Sequence, residues 1–579
     1  MRNSGVVCSE AQEYVPTYEL IPAGPVPTAF DPDGVYPYVS YAETSHQPVL
    51  KPYRFVALEN AKIKVVICPE LGGRVTSLVH KRSGKEVLLV PDVIRPTRIL
   101  PRFGFVAGGI EVSFPISHSP TQNDPVLYAI HRTPQRVYVT CGERELRFGM
   151  QWSAEYSLGA DDDFLTQRTV FHNPGTSARP WMSWSNAAVP CAPDTEYHFP
   201  GGEVLSHSSK LEIIDWQRSG PKRESDIQEM TGFFWKTRDA NAFGAFTPSR
   251  GAGLYHVADE AMAPGMKLWS YGVGADRAWA TLGRAGGDPY VEIQGGPIGD
   301  QSIKLELAPR ETRWHVEFWI PTDKALNIYS LKLPSVELRP VKEVPLFDWA
   351  REQEVKVWND LLHAHRTKGR LPDPPEPRQC LWAPSGMEEM NAAFEWAIEN
   401  TKDETAECWR FHYGTWLAGT GERKAAIQVL GTTRLGVARA LLARLLKLEG
   451  DIAGAARAFG SIRENWLQQH PQVVVERDEV LRNLGTHTMV ERGRWLDQVD
   501  ARQDERILER RVQLLIDRAE YQEAKRLLLS VSFQKVHQRY VRTALWNQIC
   551  ERLNQPGVAV PAELGEDQLA SFGAYREFE

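Results

Sequence analysis

Residues 65–89, VVICPELGGRVTSLVHKRSGKEVLL, decide the fold class. Short apolar or alternating runs (VVIC, RVTSLVH, EVLL) are broken by Pro-Glu, Gly-Gly and Ser-Gly, which is the pattern of strands joined by tight turns. The same style precedes this stretch in FVALEN and follows it in RVYVTCG, FGMQWSAEYSLGA, LTQRTVFHNPGTSARPWMSWSN, GLYHVA and WHVEFWIP. No amphipathic helical pattern intervenes before about residue 340. So long a run of strands predicts a large antiparallel sandwich or closed barrel. Residues 1–50, with IPAGPVPTAF and GVYPYVSY, read as an irregular segment wrapping that domain, with edge strands at most.

The composition then changes. Residues 339–386 form a linker, with a helix expected over 347–365 followed by the stiff connector RLPDPPEPRQ. From Met387 the chain is rich in Ala, Leu, Arg and Glu at helical spacing. ARALLARLLKLEGDIAGAARAFGSIRENWLQQHP pairs two helices around Gly450-Asp451. With echoes at Gly421 and Glu520, steps of about 30–35 residues predict tetratricopeptide-like repeats over 387–579. The expected architecture is therefore multidomain β plus α, with the β domain over 51–338.

Bulk properties narrow the function. A net charge of −7 lacks the basic footprint of a nucleic-acid binder. No apolar run of about 18 residues predicts a membrane span, and MRNSGVVCSEAQEYV lacks a signal-peptide core, so a cytoplasmic protein is expected. Seven scattered cysteines form no CxxC pair and read as idle thiols. Walker, GxSxG, HExxH and Rossmann motifs are absent, so no cofactor or metal is expected. Eighteen tryptophans, nine of them between Trp152 and Trp319, are an excess that suits either sugar stacking or β-core filling.

The stretch 65–89 resembles the opening strands of the galactose-mutarotase-like superfamily. FGFVAGGIEVSFPISHSP resembles the Gly-Gly-Ile-x-Val-x-Phe-Pro motif of its hexose-phosphate epimerases, and YVEIQGG resembles the late strand bearing their catalytic glutamate. With SWSNAAVP and PGMKLWSYG, these blocks also look like a bacterial family joining such a domain to tetratricopeptide repeats. The resemblance implies an antiparallel β-supersandwich holding a sugar, with Glu292 at the general-base position and Arg74 near the sugar hydroxyls. One departure counts against a simple mutarotase. The middle-strand acid histidine of that superfamily is missing, and Trp184, Ser185 and Asn186 stand where it is sought.

The residues themselves supply candidates. Tyr290, Glu292 and Gln294 alternate with Val291 and Ile293, placing Glu292 and Gln294 on one strand face. Glu111, beside Gly108-Gly109, stands where the epimerases carry Pro, and with Glu292 it would make the carboxylate pair of a glycosidase. His118 in the same block is a candidate acid or base. His198 and His131 are weaker candidates. Trp184, Asn186, Lys267 and Trp269 offer stacking plates and polar contacts for a ligand. Trp409, Phe411, His412, Tyr413 and Trp416 form a cluster at the start of the helical part and read first as helix packing.

Three functions follow, in order of expectation. The first is a glycoside hydrolase using Glu292, Glu111 and His118. The second is an aldose epimerase or mutarotase needing one base and one acid. The third is a sugar-binding scaffold. The expected ligand is a mono- or oligosaccharide, with a homo-oligomer or protein partner met through the repeats.

Overall fold

The computed structural model describes residues 5–29, 36–45, 47–97, 102, 104–116, 118, 120–208, 210–273, 288–300, 303–501, 505–530, 539–561 and 564. The ends of the expected domains, 1–4 and 565–579, lie outside the described residues.

Two large antiparallel sheets form the β domain. The twelve-stranded sheet runs, in spatial order, β1 (Val7–Thr17), β4 (Val49–Glu59), β5 (Ile63–Cys68), β6 (Arg74–His80), β8 (Ile110–Ser113), β14 (Trp184–Pro190), β22 (Tyr290–Gly296), β21 (Gly265–Ser270), β18 (Thr231–Trp235), β16 (Glu203–His207) and β17 (Leu211–Asp215), with β7 (Lys85–Glu86) beside β6. The eight-stranded sheet runs β15 (Glu196–His198), β19 (Ala242–Thr247), β20 (Ala252–Ala258), β24 (Thr312–Thr322), β12 (Leu165–His172), β11 (Gln151–Gly159), β10 (Arg136–Arg144) and β9 (Leu127–Arg132). Two short ribbons pair β2 (Leu20–Pro22) with β3 (Tyr41–Thr44) and β13 (Arg179–Trp181) with β23 (Leu305–Leu307).

The core follows from period-two alternation. Val75, Ile110, Val112, Ala187, Val189, Val291, Ile293 and Leu268 share one buried cluster with Val139, Trp152, Ala154, Phe171 and Trp319 of the other sheet. Trp152, Trp181, Trp184, Trp216 and Trp319 are almost wholly buried. At about 25 cal/mol per Å², burying one such side chain is worth roughly 4–6 kcal/mol of transfer free energy. Much of the tryptophan excess therefore serves packing, not sugar stacking.

A polar cluster is sealed into this core. Glu317 accepts hydrogen bonds from Ser185 Oγ (2.5 Å) and Gln167 Nε2 (3.1 Å), and lies 3.0 Å from His256 Nε2 and 3.1 Å from His315 Nε2. Burial would raise its carboxyl, but the two histidines reverse this and hold it far below the carboxylate range. Gly295 makes room for the cluster, because a Cβ there would sit 2.7 Å from His256 Nε2 and 2.8 Å from Glu317 Oε1. Gly295→Ala is expected to destabilise the β domain by about 1–3 kcal/mol, as overpacking does, read as a lower urea midpoint.

The described part of residues 1–50 includes an edge strand of the kind the sequence reading allows for. Val7–Thr17 is an eleven-residue edge strand paired with β4 along its whole length, from Val7 opposite Glu59 to Thr17 opposite Val49. Its many polar and exposed residues, and Pro16, are what an edge strand tolerates. Further on, Val26, Ala29 and Tyr36 leave the β domain and join the core of the helical part.

The helix expected over 347–365 begins later, as α1 (Glu352–Thr367). The backbone before it pairs with the β domain instead: Pro345 O accepts from Ser153, Phe347 O from Gln151 and Asp348 O from Arg144 N. There follow α2 (Met390–Glu399), α3 (Asp403–Gly419), α4 (Arg423–Gly431), α5 (Gly436–Leu448), α6 (Ile452–Gly460), α7 (Glu464–Gln468), α8 (Pro471–Leu484), α9 (Met489–Gln498), α10 (Glu505–Asp517), α11 (Tyr521–Leu528) and α12 (Arg539–Arg552). Helices α3, α5, α8 and α10 start at 403, 436, 471 and 505, the step of about 34 residues of tetratricopeptide repeats. Trp409, Phe411 and Tyr413 are buried in this helical core, as helix packing requires. No helix among the described residues is long and apolar enough to cross a membrane.

Candidate functional site

Opposite the core, the large sheet carries a row of polar side chains. Register places Glu111 (β8) across from Asn186 (β14), Asn186 across from Gln294 (β22) and Gln294 across from Lys267 (β21). Val75 pairs with Ile110, so Arg74 (β6) flanks Glu111 on the other side. Directly opposed residues share a face. One row along, Glu292 stands between Ala188 and Trp269. Arg74, Glu111, Asn186, Lys267, Glu292 and Gln294 are all buried.

Glu111 is the hub. One carboxylate oxygen accepts from Asn186 Nδ2 (3.0 Å) and meets His118 Nδ1 (2.9 Å); the other meets Arg74 Nη2 (3.2 Å). Burial acts to raise its pKa, but His118, Arg74 and Gln122 outweigh it and hold the carboxyl below its usual value. Glu111 is therefore a fixed anion that holds the His118 ring through Nδ1.

Glu292 behaves oppositely. Burial raises its carboxyl, the charge of Glu111 adds to this, and His118 and Lys267 oppose it. Gln294 Nε2 donates to its Oε2 at 2.7 Å. Lys267 is brought down to about 8 by burial, with Glu292, Glu111 and Asp300 pulling the other way, and its Nζ lies 4.9 Å from the Phe234 ring centroid. Two carboxyls with opposed shifts on one face are the usual sign of divided acid–base roles.

The strands of Glu111 and Glu292 flank β14, so their backbones lie about 10 Å apart across the sheet. A glycosidase acid must carry a proton. Glu111, held ionised with both oxygens engaged, does not suit that role. The two carboxyls of the pair expected from the sequence thus stand in opposed environments, Glu111 held ionised and Glu292 raised by burial.

Other expectations change as well. Arg74 directs its Nη atoms to the carbonyls of Val106 and Gly108, to Gln122 Oε1 (2.8 Å) and to Glu111, so it braces the site and does not present them to sugar hydroxyls. Trp184 is fully buried against Met182 and Ile298 and is a wall, not a stacking plate. His198 belongs to β15 of the other sheet, beside Tyr255 and Glu196, because the chain crosses between sheets after β14. His131 lies exposed on edge strand β9. Trp269 stays partly exposed beside Glu292, edge-on to Tyr271 with ring centroids 4.1 Å apart. Gln122 was not anticipated; its only signal was its place four residues after His118. Among the described residues no group of His, Cys, Asp and Glu is arranged to hold a metal ion.

Fold and site together define a class: a β-supersandwich with a buried row of polar and ionisable side chains on one sheet face, joined to a tetratricopeptide-like array. Within it, the chain belongs to the family described as a domain of unknown function, DUF5107, whose model matches residues 30–322. A second model, of a C-terminal domain, matches residues 358–549. The crystal structure of a TPR-domain containing protein from Parabacteroides distasonis ATCC 8503 is 59% identical, with 98% of each chain covered and a TM-score of 0.90. A putative mutarotase from Salmonella typhimurium (11% identity, 47% of this chain and 91% of that one, TM-score 0.37) also matches. So does a galactose mutarotase-like protein from Clostridium acetobutylicum (13%, 46% and 95%, TM-score 0.35). Likenesses at those scores say nothing of the reaction.

Proposed function

We propose that the β domain is an isomerase that interconverts the anomers of an aldose-type sugar by proton transfer. The opposed environments of Glu292 and Glu111 carry this reading. Glu292, raised by burial, is the base that takes the proton of the anomeric hydroxyl. His118, its Nδ1 held by Glu111, gives a proton from Nε2 to the ring oxygen. The C–O bond of the ring breaks as the carbonyl forms, the open chain turns about its C1–C2 bond, and the reverse transfers close the other anomer. His118 thus does from a loop what the missing middle-strand histidine does elsewhere. Asn186, Gln294 and Lys267 are placed to meet ring hydroxyls, and Trp269 to stack on an apolar sugar face. The order of the three motifs shared with hexose-phosphate epimerases supports a sugar as substrate. Glycoside hydrolysis fits less well, since Glu111 is the wrong kind of carboxylate for the acid.

The rate should depend on pH in a stated direction. A raised Glu292 must lose its proton to act, so kcat/KM rises with pH through that raised value. Above about 8, Lys267 loses its charge and the rate declines. Polarimetry of freshly dissolved single anomers across pH tests this. His118→Asn is expected to lower kcat about 10²–10³-fold with the fold intact. A wild-type protein that equilibrates no aldose anomer, or a His118→Asn protein with unchanged kcat, refutes the proposal.

A further inference from the structure

The chain's own N-terminal segment lies against the helical array. Arg444 of α5 donates through Nη1 to the carbonyls of Val26 and Pro27 (3.2 Å each), and is itself held by Glu476 of α8 at 2.6 and 2.5 Å. Gly24, at φ 99°, sits on Gln472, where a Cβ would come within 2.2 Å of the side-chain amide. Tyr36 donates to Ala383 O (2.7 Å), and its ring fills the place a Cβ on Gly419 would take.

From Tyr36 a continuous set of contacts leads to the site. Tyr38 OH accepts from Leu146 N (2.9 Å), and Val39 O accepts from Arg102 Nη1 (2.7 Å). Arg102 lies over the rings of Tyr38 and Tyr41, donates through Nε to Pro120 O (2.5 Å) and pairs with Asp124. Arg351, just ahead of α1, meets the same Asp124 oxygen at 2.6 Å. Asp124 is thus gripped by two arginines from different parts of the chain, and its carbonyl accepts from Gly72 N (3.0 Å). Two residues before it stands Gln122 and six before it His118, the two loop groups that face Arg74 and Glu111.

We infer that the helical array is a clamp on the loop of the same chain that bears His118: it holds residues 24–29 and Tyr36, and through Arg102, Arg351 and Asp124 it fixes that loop against Glu111. Arg102, Arg351 and Asp124 are positioning residues. The inference rests on the isomerase reading only in calling His118 the acid. The mechanical link is independent of it. It also gives the repeats an occupant within the chain, where the sequence suggested an outside partner.

The test is amide hydrogen exchange on full-length Arg351→Met, Arg351→Lys and Arg444→Met, alongside polarimetry. Arg351→Met is expected to speed exchange in peptides spanning 116–126 by about tenfold or more, with the core strand Gln151–Gly159 unchanged, and Arg351→Lys to restore part of the protection. Arg444→Met, remote from the site, is expected to loosen 23–29 and 116–126 together. Anomer turnover falls in kcat more than in KM. Exchange in 116–126 within about twofold of wild type in folded Arg351→Met or Arg444→Met overturns the clamp. Should Arg351→Met fail to fold, Arg444→Met alone decides. Coupled exchange in a protein without turnover keeps the clamp and refutes the isomerase.

Discussion

Glu292→Gln should give a folded protein that still binds sugar and has lost about 10³–10⁴-fold in kcat. The amide keeps the size of the carboxyl, so the strand Tyr290–Gly296 and its neighbours need not move. Burial already disfavours the charge on Glu292, so removing it costs no stability and can add some. What disappears is the buried carboxyl, raised by burial, that is proposed to take the proton. Glu111 cannot substitute, because its two oxygens stay bonded to His118, Asn186 and Arg74. Polarimetry with calorimetric titration of the same sugar separates the loss of turnover from loss of binding. Retention of a tenth or more of wild-type kcat would remove Glu292 from the mechanism.

Glu317→Leu should produce the largest loss of stability. The carboxylate is the shared acceptor for Ser185 and Gln167 and the partner of His256 Nε2 and His315 Nε2, all buried. Removing one member of a buried ionic group leaves the others unsatisfied, at a cost of about 3–5 kcal/mol. In a domain of this size the thermal midpoint should fall by roughly 10 °C. The pH dependence has a definite sign. The folded-state pKa of Glu317 is depressed, so its contribution is full above the ordinary carboxylate value and is lost as pH falls toward the lower folded value. The variant should therefore lose stability at neutral pH and lose less than wild type on acidification. Paired thermal scans at neutral and acid pH measure both. A variant with an unchanged midpoint would show that the cluster does not hold the two sheets together.

How much was legible in the sequence depended on the range of the interaction. Tyr290-Glu292-Gln294 could be placed on one strand face, because alternation is local, and the step between repeats could be read because each helix pair recurs in sequence. The partners of Glu111 could not. Arg74 lies 37 residues before it, and Asn186 meets it through a strand laid down after half of the second sheet. Sequence could show that Glu111 was unusual beside two glycines, but not that Arg74 and His118 would hold it as an anion. His198 looked close to Asn186 along the chain, yet the crossing between sheets took it elsewhere. The bounds of strand β1 could not be read, because an exposed edge lacks the apolar alternation that marks a buried strand. Glu317 stands in WHVEFW, where its alternation with buried neighbours gave no hint that His256 would face it from another strand.

The most direct test is proton NMR of single, freshly dissolved aldose anomers and of their methyl glycosides in the presence of the protein. Faster interconversion of the free anomers is expected, abolished by Glu292→Gln, with every methyl glycoside left intact. Release of methanol and free sugar from a glycoside, with no acceleration of anomer exchange, would contradict it.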